Sequence, residues 1–219
     1  MKRLAVLISG RGSNLEALLG AIQRYGWPIE VACVISNRPN AGGLDIARSK
    51  GIPTEVIDHT QFSDRSAFDN ALIHRLEAQQ PDLVVLAGFM RLLTAEFCAR
   101  FRHRLVNIHP SLLPAFKGLQ THQQAIDAGV RIHGCTVHLV TAELDHGPIL
   151  AQAAVSVRHD DTAEALAARV LKMEHEIYPK AIAAWLSGQL TVEDDRIIDR
   201  GEGAFPTGFM SCQLHPDLA

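Results

Sequence analysis

No stretch of this chain is apolar for long enough to cross a membrane. The first apolar run, Leu4–Ile8, stops at once at Ser9-Gly10, whereas a spanning helix needs about 20 apolar residues and a signal peptide a longer apolar core than this. Neither charge is in excess: 21 basic against 24 acidic side chains leave a net charge of -3. That excludes the broad field that recruits nucleic acid or an anionic membrane, while a local basic site for a phosphorylated small molecule stays compatible. The four cysteines, Cys33, Cys98, Cys135 and Cys212, are widely separated and form no C-x-x-C pair. They read as reduced, mostly buried thiols of a cytoplasmic protein rather than a disulfide or zinc framework. His103, His109, His122, His133 and His138 do not fall into a ligand spacing, so no metal is expected. There is no internal repeat, and no linker rich in Pro, Gly or Ser separates domains.

What is present is ordinary globular composition, 47% hydrophobic and 21% charged over 219 residues, which suits one large domain with at most a small appendage. Short apolar runs alternate with helical spacing. Leu4–Ile8 reads as a buried strand, and Asn14–Tyr25 as a helix with Leu15, Leu18, Leu19 and Ile22 on one face. Val31–Ile35, Thr54–Ile57 and Leu83–Ala87 repeat the strand signal, with helices over Leu44–Lys50 and Arg65–Gln79 between them. This alternation predicts an α/β fold whose mostly parallel sheet is covered by helices on both sides. Further on, Leu105–Ile108, Thr136–Val140 and Ile149–Val157 read as strands. One long helix then runs over roughly Thr162–Ser187, opened by Asp161 with Glu164 three residues on. Beyond Gly188 the pattern turns irregular and the last fifteen residues or so read as a loosely held tail.

The segment Ser9-Gly10-Arg11-Gly12-Ser13-Asn14 lies between the first strand and the first helix. A dinucleotide fingerprint would need a third glycine where Leu15 stands, and an acidic residue where the second strand ends in Ser36-Asn37. A lysine-bearing P-loop is absent too. Two readings remain open on these residues alone. The loop holds a single phosphate on Gly12, Ser13 and Asn14, or it is a tight turn with Ser13 or Asn14 as helix cap.

Asn107 and His109, in R-L-V-N-I-H-P, share one side of a strand of period two, at the strand end where open α/β sheets place ligands. An amide can donate to an oxygen that becomes negative in a tetrahedral intermediate, and an imidazole can exchange protons near neutral pH. A turn-capping asparagine beside a core histidine would give the same spacing. Asp145 sits in the turn Glu143-Leu144-Asp145-His146-Gly147-Pro148, either as a solvent-facing turn residue or as a carboxylate that supports a protonated His109. In the long helix, Ala163, Leu166, Ala167, Val170, Ile177, Ala181 and Trp185 form an apolar stripe. Glu174 falls inside it, and a buried carboxylate needs a cation, a donor or a ligand.

ISGRGSN at the first turn, VVLAGFMRLL after the fourth strand, NIHPSLLP, GLQTH, ELDHGP and MEHEIYP occur in order from about residue 4 to 190. Together they resemble the phosphoribosylglycinamide formyltransferases. The resemblance implies a Rossmann-like, twisted, mostly parallel sheet, with residues 1–190 as one catalytic domain and 191–219 as a C-terminal extension. It implies transfer of a formyl group from 10-formyltetrahydrofolate, a co-substrate, to the amine of glycinamide ribonucleotide in purine synthesis, without a metal. By motif, Asn107, His109 and Asp145 would be catalytic. Gly12, Ser13, Asn14, Leu171, Lys172, Met173 and Glu174 would hold the ribonucleotide. Arg65, Met90, Arg91, Leu92, Leu93, Asn107, Thr141, Ala142, Glu143, Leu144 and Asp145 would line the folate cleft. Arg11, Gln120 and His146 depart from the family pattern. The expected partners are these small molecules, not nucleic acid or membrane, in a monomer or homodimer.

Other members of the wider group keep the donor and change the acceptor. Methionyl-tRNA formyltransferases carry an added C-terminal RNA-binding domain, for which too few residues follow the long helix. Formyltetrahydrofolate hydrolases carry an added N-terminal domain, whereas here the first strand starts at Leu4. Sugar-nucleotide formyltransferases are not set apart by length, although their acceptor explains the phosphate-loop match less well, and they stand beside the hydrolase as the alternatives.

Overall fold

From Leu4 to Ile8 every residue of the first strand, β1 (Lys2–Ile8), is buried, which is the condition of a central strand with helices over both of its faces. In the computed structural model, which describes residues 1–218, β1 is followed by α1 (Ser13–Tyr25), β2 (Ile29–Ser36), α2 (Gly43–Ser49), β3 (Thr54–Val56), α3 (Arg65–Gln79), β4 (Leu83–Leu86), α4 (Ala95–Arg100) and β5 (Leu105–His109). Then come α5 (Thr121–Asp127), β6 (Ile132–Leu139), β7 (Ile149–Ser156), α6 (Ala163–Ser187), β8 (Leu190–Glu193), β9 (Arg196–Asp199) and β10 (Cys212–Leu214). The chain divides into two compact units. The first is Met1–Asn107 with Val140–Ala142; the second is Ile108–Leu139 with the residues from Glu143 onward.

In the first unit the strands lie in the order β5-β4-β1-β2-β3, all parallel. Alternation decides what each face meets. Ala5 and Leu7 of β1, Cys33 and Ile35 of β2, and Val84 and Leu86 of β4 pack with Phe68, Leu72 and Leu76 of α3 and Phe97 of α4. Ile8, of the other parity, reaches toward Gly43 of α2. The helix α3 begins where the Asp64 carboxylate accepts from the Ala67 N–H at 2.8 Å, which satisfies one of the amides a helix start leaves open. It stops at Gln80, in the left-handed region at φ 48, just before Pro81.

In the second unit β6 and β7 pair antiparallel, with Thr136 opposite Gln152, and β10 adds to β7 in parallel. α6 packs against β6 and β7. Its buried side includes Leu166, Val170, Met173, Glu174, Ile177 and Ala181, so the apolar stripe and its enclosed carboxylate are both present. Among the described residues no helix is long and apolar enough to cross a membrane.

The expected α/β fold with a mostly parallel sheet is the one observed, and three local expectations change. The cap of α6 is Thr162, whose hydroxyl accepts from the Ala165 N–H at 3.2 Å. Asp161 instead pairs with Arg169 and accepts from the Arg158 N–H. The short helices α4 and α5 were not expected. The tail is also more ordered than its composition implies: β8 and β9 form a hairpin, the Ala204 N–H donates to the Ser187 carbonyl at 2.7 Å, and β10 completes the edge beside β7.

Candidate active site

The turn after β1 is built on two glycines. Gly12 stands at φ 84 as the residue before α1, and a Cβ there would lie 2.5 Å from the Cα of Gly43. Only glycine fits so close an approach in a left-handed conformation. No side chain caps α1, so neither Ser13 nor Asn14 plays the capping role that one reading of the loop gave them. The first-turn amides of α1 lack intrahelical acceptors, as at any helix start, and they carry the positive end of the helix dipole.

Within the same unit the segment after β4 carries Met90 and Leu92 exposed and Arg91 and Leu93 half-buried. Arg91 places its guanidinium 6.0 Å from the centre of the Phe68 ring. Arg65, the first residue of α3, is exposed, as are Thr141 and Ala142. The Thr141 carbonyl accepts from the Cys98 thiol at 3.4 Å. Asn107, half-buried, pairs in register with Leu86 of β4.

In the second unit the end of β5 places His109, 5% exposed, beside Asp145. The ring Nδ1 lies 3.5 Å from Asp145 Oδ1, and both side chains are almost fully buried. The other oxygen, Oδ2, accepts from the Gly118 N–H at 2.8 Å. The ring Nε2 lies 3.1 Å from the Phe116 carbonyl. Both ring nitrogens therefore face oxygen atoms. Asp145 takes a left-handed backbone at φ 45, which an aspartate accepts more readily than most residues.

The loop that supplies Phe116 and Gly118 is held by a buried polar cluster. Thr136 Oγ1 accepts from the Leu113 N–H at 3.0 Å and donates to the Ser111 carbonyl at 2.7 Å. Gln152 Nε2 donates to both Thr136 Oγ1 and the Leu113 carbonyl at 3.0 Å. Next to this cluster the His133 ring, 0% exposed, meets Phe116 and His122 edge-on. Burial, helped by the nearby His122, pushes the His133 pKa down to about 4, and burial lowers that of His122 as well. His138 is lowered by the same cause, although its contact with the Leu139 carbonyl and the Asp145 charge oppose the shift. Among the described residues no three His, Cys, Asp or Glu side chains gather as a metal-ion group.

Of the residues expected at a site, the structure brings His109 and Asp145 into direct contact. Asn107, Arg65, Met90–Leu93, Thr141, Ala142 and Gly12–Asn14 lie in the first unit; Leu171–Glu174 and Glu143–Asp145 lie in the second. Leu171 is half-buried, Lys172 exposed, and Met173 and Glu174 buried. The Glu143 carboxylate stands 3.8 Å from Lys117 Nζ and 3.3 Å from His146 Nδ1, a surface cluster worth little in isolation. The sequence reading missed Ser9, Asn37, Asp69, Thr136 and Gln152. Asp69 carried a signal of the same kind as Glu174: it lies in register with the apolar positions Leu72 and Leu76 of α3, and it is 1% exposed.

The fold is α/β with a mostly parallel sheet, and comparison with known proteins gives its family. Residues 2–182 match the family model described as formyl transferase. The chain belongs to the formyl transferase family. It is 43% identical over 206 residues to phosphoribosylglycinamide formyltransferase of Escherichia coli, covering 94% of this chain and 97% of that protein. It is 46% identical over 196 residues to the trifunctional purine biosynthetic protein adenosine-3 of Bos taurus, covering 89% of this chain. The match spans only 19% of that longer protein. The crystal structure of glycinamide ribonucleotide transformylase 1 from Symbiobacterium toebii superposes with a TM-score of 0.88 at 48% identity, covering 91% of this chain and 94% of that one.

Proposed function

We propose that this chain transfers the formyl group of 10-formyltetrahydrofolate to the amine of 5'-phosphoribosylglycinamide, giving formylglycinamide ribonucleotide and tetrahydrofolate. Family membership supports the reaction type, and near-full-length identity to the Escherichia coli enzyme supports the acceptor. The observation that carries the chemistry is the buried contact of His109 Nδ1 with Asp145 Oδ1 at 3.5 Å. Residues 1–190 carry the transfer, and 191–219 form an extension.

In this reading the acceptor's phosphate sits on the uncapped start of α1, at Gly12, Ser13 and Asn14, where amides and helix dipole favour an anion. Glu174, with Leu171, Lys172 and Met173, contacts the rest of the ribonucleotide. The folate contacts Arg65, Met90–Leu93, Thr141, Ala142 and Glu143–Asp145. The neutral amine attacks the formyl carbon, forming the new C–N bond as the carbonyl π electrons move onto oxygen. The Asn107 amide and the Nε2–H of His109 donate to that oxygen, which stabilises charge only as it develops. Asp145 keeps the ring oriented and supports its charge. The proton lost by the attacking nitrogen passes to the folate nitrogen through His109 or water. Collapse of the intermediate then breaks the old C–N bond and releases tetrahydrofolate.

The test is purified protein with 10-formyltetrahydrofolate and glycinamide ribonucleotide, with sugar-nucleotide amines and water as competing acceptors. Mass spectrometry of the products should show formylglycinamide ribonucleotide. Formate as the sole product would assign the chain to the hydrolases, and formylation of another amine alone would overturn the acceptor.

A further inference from the structure

The segment from Met90 to Thr94 is gripped at both ends by buried polar side chains of the same unit. At one end the Met90 N–H donates to Ser9 Oγ at 2.7 Å. The Ser9 hydroxyl in turn donates to Asn37 Oδ1 at 2.6 Å, so its proton is committed and its lone pairs face Met90. Ser9 and Asn37 are 4% and 1% exposed. At the other end the Thr94 N–H donates to Asp69 Oδ2 at 2.6 Å. Thr94 also caps α4 through its own hydroxyl, so Asp69 fixes both the end of the segment and the start of the helix.

Asp69 is 1% exposed, and its second oxygen has no hydrogen-bond partner among the described residues. A carboxylate is a costly occupant of that position, and a leucine would fill the apolar side of α3 without the cost. What the carboxylate supplies and a leucine lacks is the acceptor for Thr94. Between the two grips the segment turns Met90 and Leu92 outward, 62% and 56% exposed. A short segment held at both ends while presenting large apolar side chains to solvent is suited to receive a flat, largely apolar ring system.

We propose that Ser9 and Asp69 are positioning residues for the formyl donor, clamping Met90–Thr94 in the conformation that accepts the folate ring. This inference rests on the formyl-transfer reading above. It assigns these two side chains no contact with either substrate; they act through the backbone they hold.

The experiment compares Ser9→Ala, Asp69→Leu and Asp69→Asn with the unsubstituted chain, varying each substrate in turn. Loss of one grip should raise the KM for 10-formyltetrahydrofolate roughly tenfold, the scale of one hydrogen bond, and leave that for glycinamide ribonucleotide within about twofold. Asp69→Asn keeps an acceptor oxygen and should restore the donor KM. Donor KM values unchanged in Ser9→Ala and Asp69→Leu would overturn the proposal, as would equal losses for both substrates in all three variants. If Asp69→Leu does not fold, Ser9→Ala decides alone. Should the unsubstituted chain form no formylglycinamide ribonucleotide, the functional reading fails on its own account. Tetrahydrofolate affinity, followed by fluorescence, then tests the clamp: weaker binding in Ser9→Ala supports it, and unchanged binding or none to the unsubstituted chain refutes it.

Discussion

Asp145 reaches two partners at once: one carboxylate oxygen lies 3.5 Å from His109 Nδ1, and the other accepts the Gly118 N–H at 2.8 Å. The same side chain therefore sets the orientation of the histidine ring and the position of the loop beside it. Exchanging Asp145 for Asn keeps the shape and removes the charge. Turnover should fall by about a hundredfold or more, the scale seen when a group that stabilises transition-state charge is lost. The KM for glycinamide ribonucleotide should change much less. Steady-state kinetics at neutral pH measures both, and turnover within threefold of the unsubstituted chain would remove Asp145 from the chemistry.

His133 gives the fold an acid limit. Its ring is fully buried and its pKa is pushed down to about 4 from 6.5, so the folded state holds fewer protons on it than the unfolded chain does. The stability gained from the neutral ring is complete above pH 6.5 and is lost as pH falls from there toward 4. Urea unfolding across this window should show a His133 contribution with a slope approaching 1.4 kcal/mol per pH unit. His133→Met, similar in bulk and unable to ionise, should flatten the curve by that amount. An unaltered slope would show that the ring is protonated without cost.

Gly12→Ala tests the close approach in the first turn. The left-handed backbone alone costs about 1–2 kcal/mol for a residue with a Cβ, and the new carbon would stand 2.5 Å from Gly43 Cα. The unfolding midpoint should drop, and the KM for the phosphorylated acceptor should rise more than that for the folate. Equal midpoints would mean that the turn relaxes freely.

Thr136→Val preserves volume and removes the hydroxyl that joins Ser111, Leu113 and Gln152. Leaving the Leu113 N–H and the Ser111 carbonyl unpaired should cost about 1–3 kcal/mol. Hydrogen exchange should quicken in residues 111–120, and unchanged exchange there would assign the loop's rigidity to other contacts.

These side chains differ in how far the sequence disclosed them. The parallel alternation was legible because Leu4–Ile8 and Leu83–Ala87 are uniformly apolar, as strands covered on both faces must be. The helix α3 was legible to the residue, Arg65–Gln79, with Pro81 marking its end. Asn107 and His109 were expected on one side of a strand from its periodicity, yet Asp145 was tied to them only by family motif. Its meeting with His109 depends on how a turn folds back, and no local pattern encodes that. The Phe116 carbonyl was invisible for a simpler reason, because a backbone group carries no residue-specific signal. β10 was hidden as well: Cys212–Leu214 is too short to show alternation and is a strand only because β7 offers it an edge.

The Phe116 carbonyl on His109 Nε2 has a consequence for what can enter. That carbonyl belongs to a peptide, which is an amide, and the formyl group on a folate nitrogen is an amide as well. Binding the donor in the proposed orientation thus exchanges one amide oxygen for another on the same N–H. In that proposed exchange the histidine loses no hydrogen bond. A group without lone pairs to offer, such as an alkyl or ammonium group, could not displace the carbonyl on equal terms. In the proposed reaction, discrimination for an acyl oxygen would follow from this one contact.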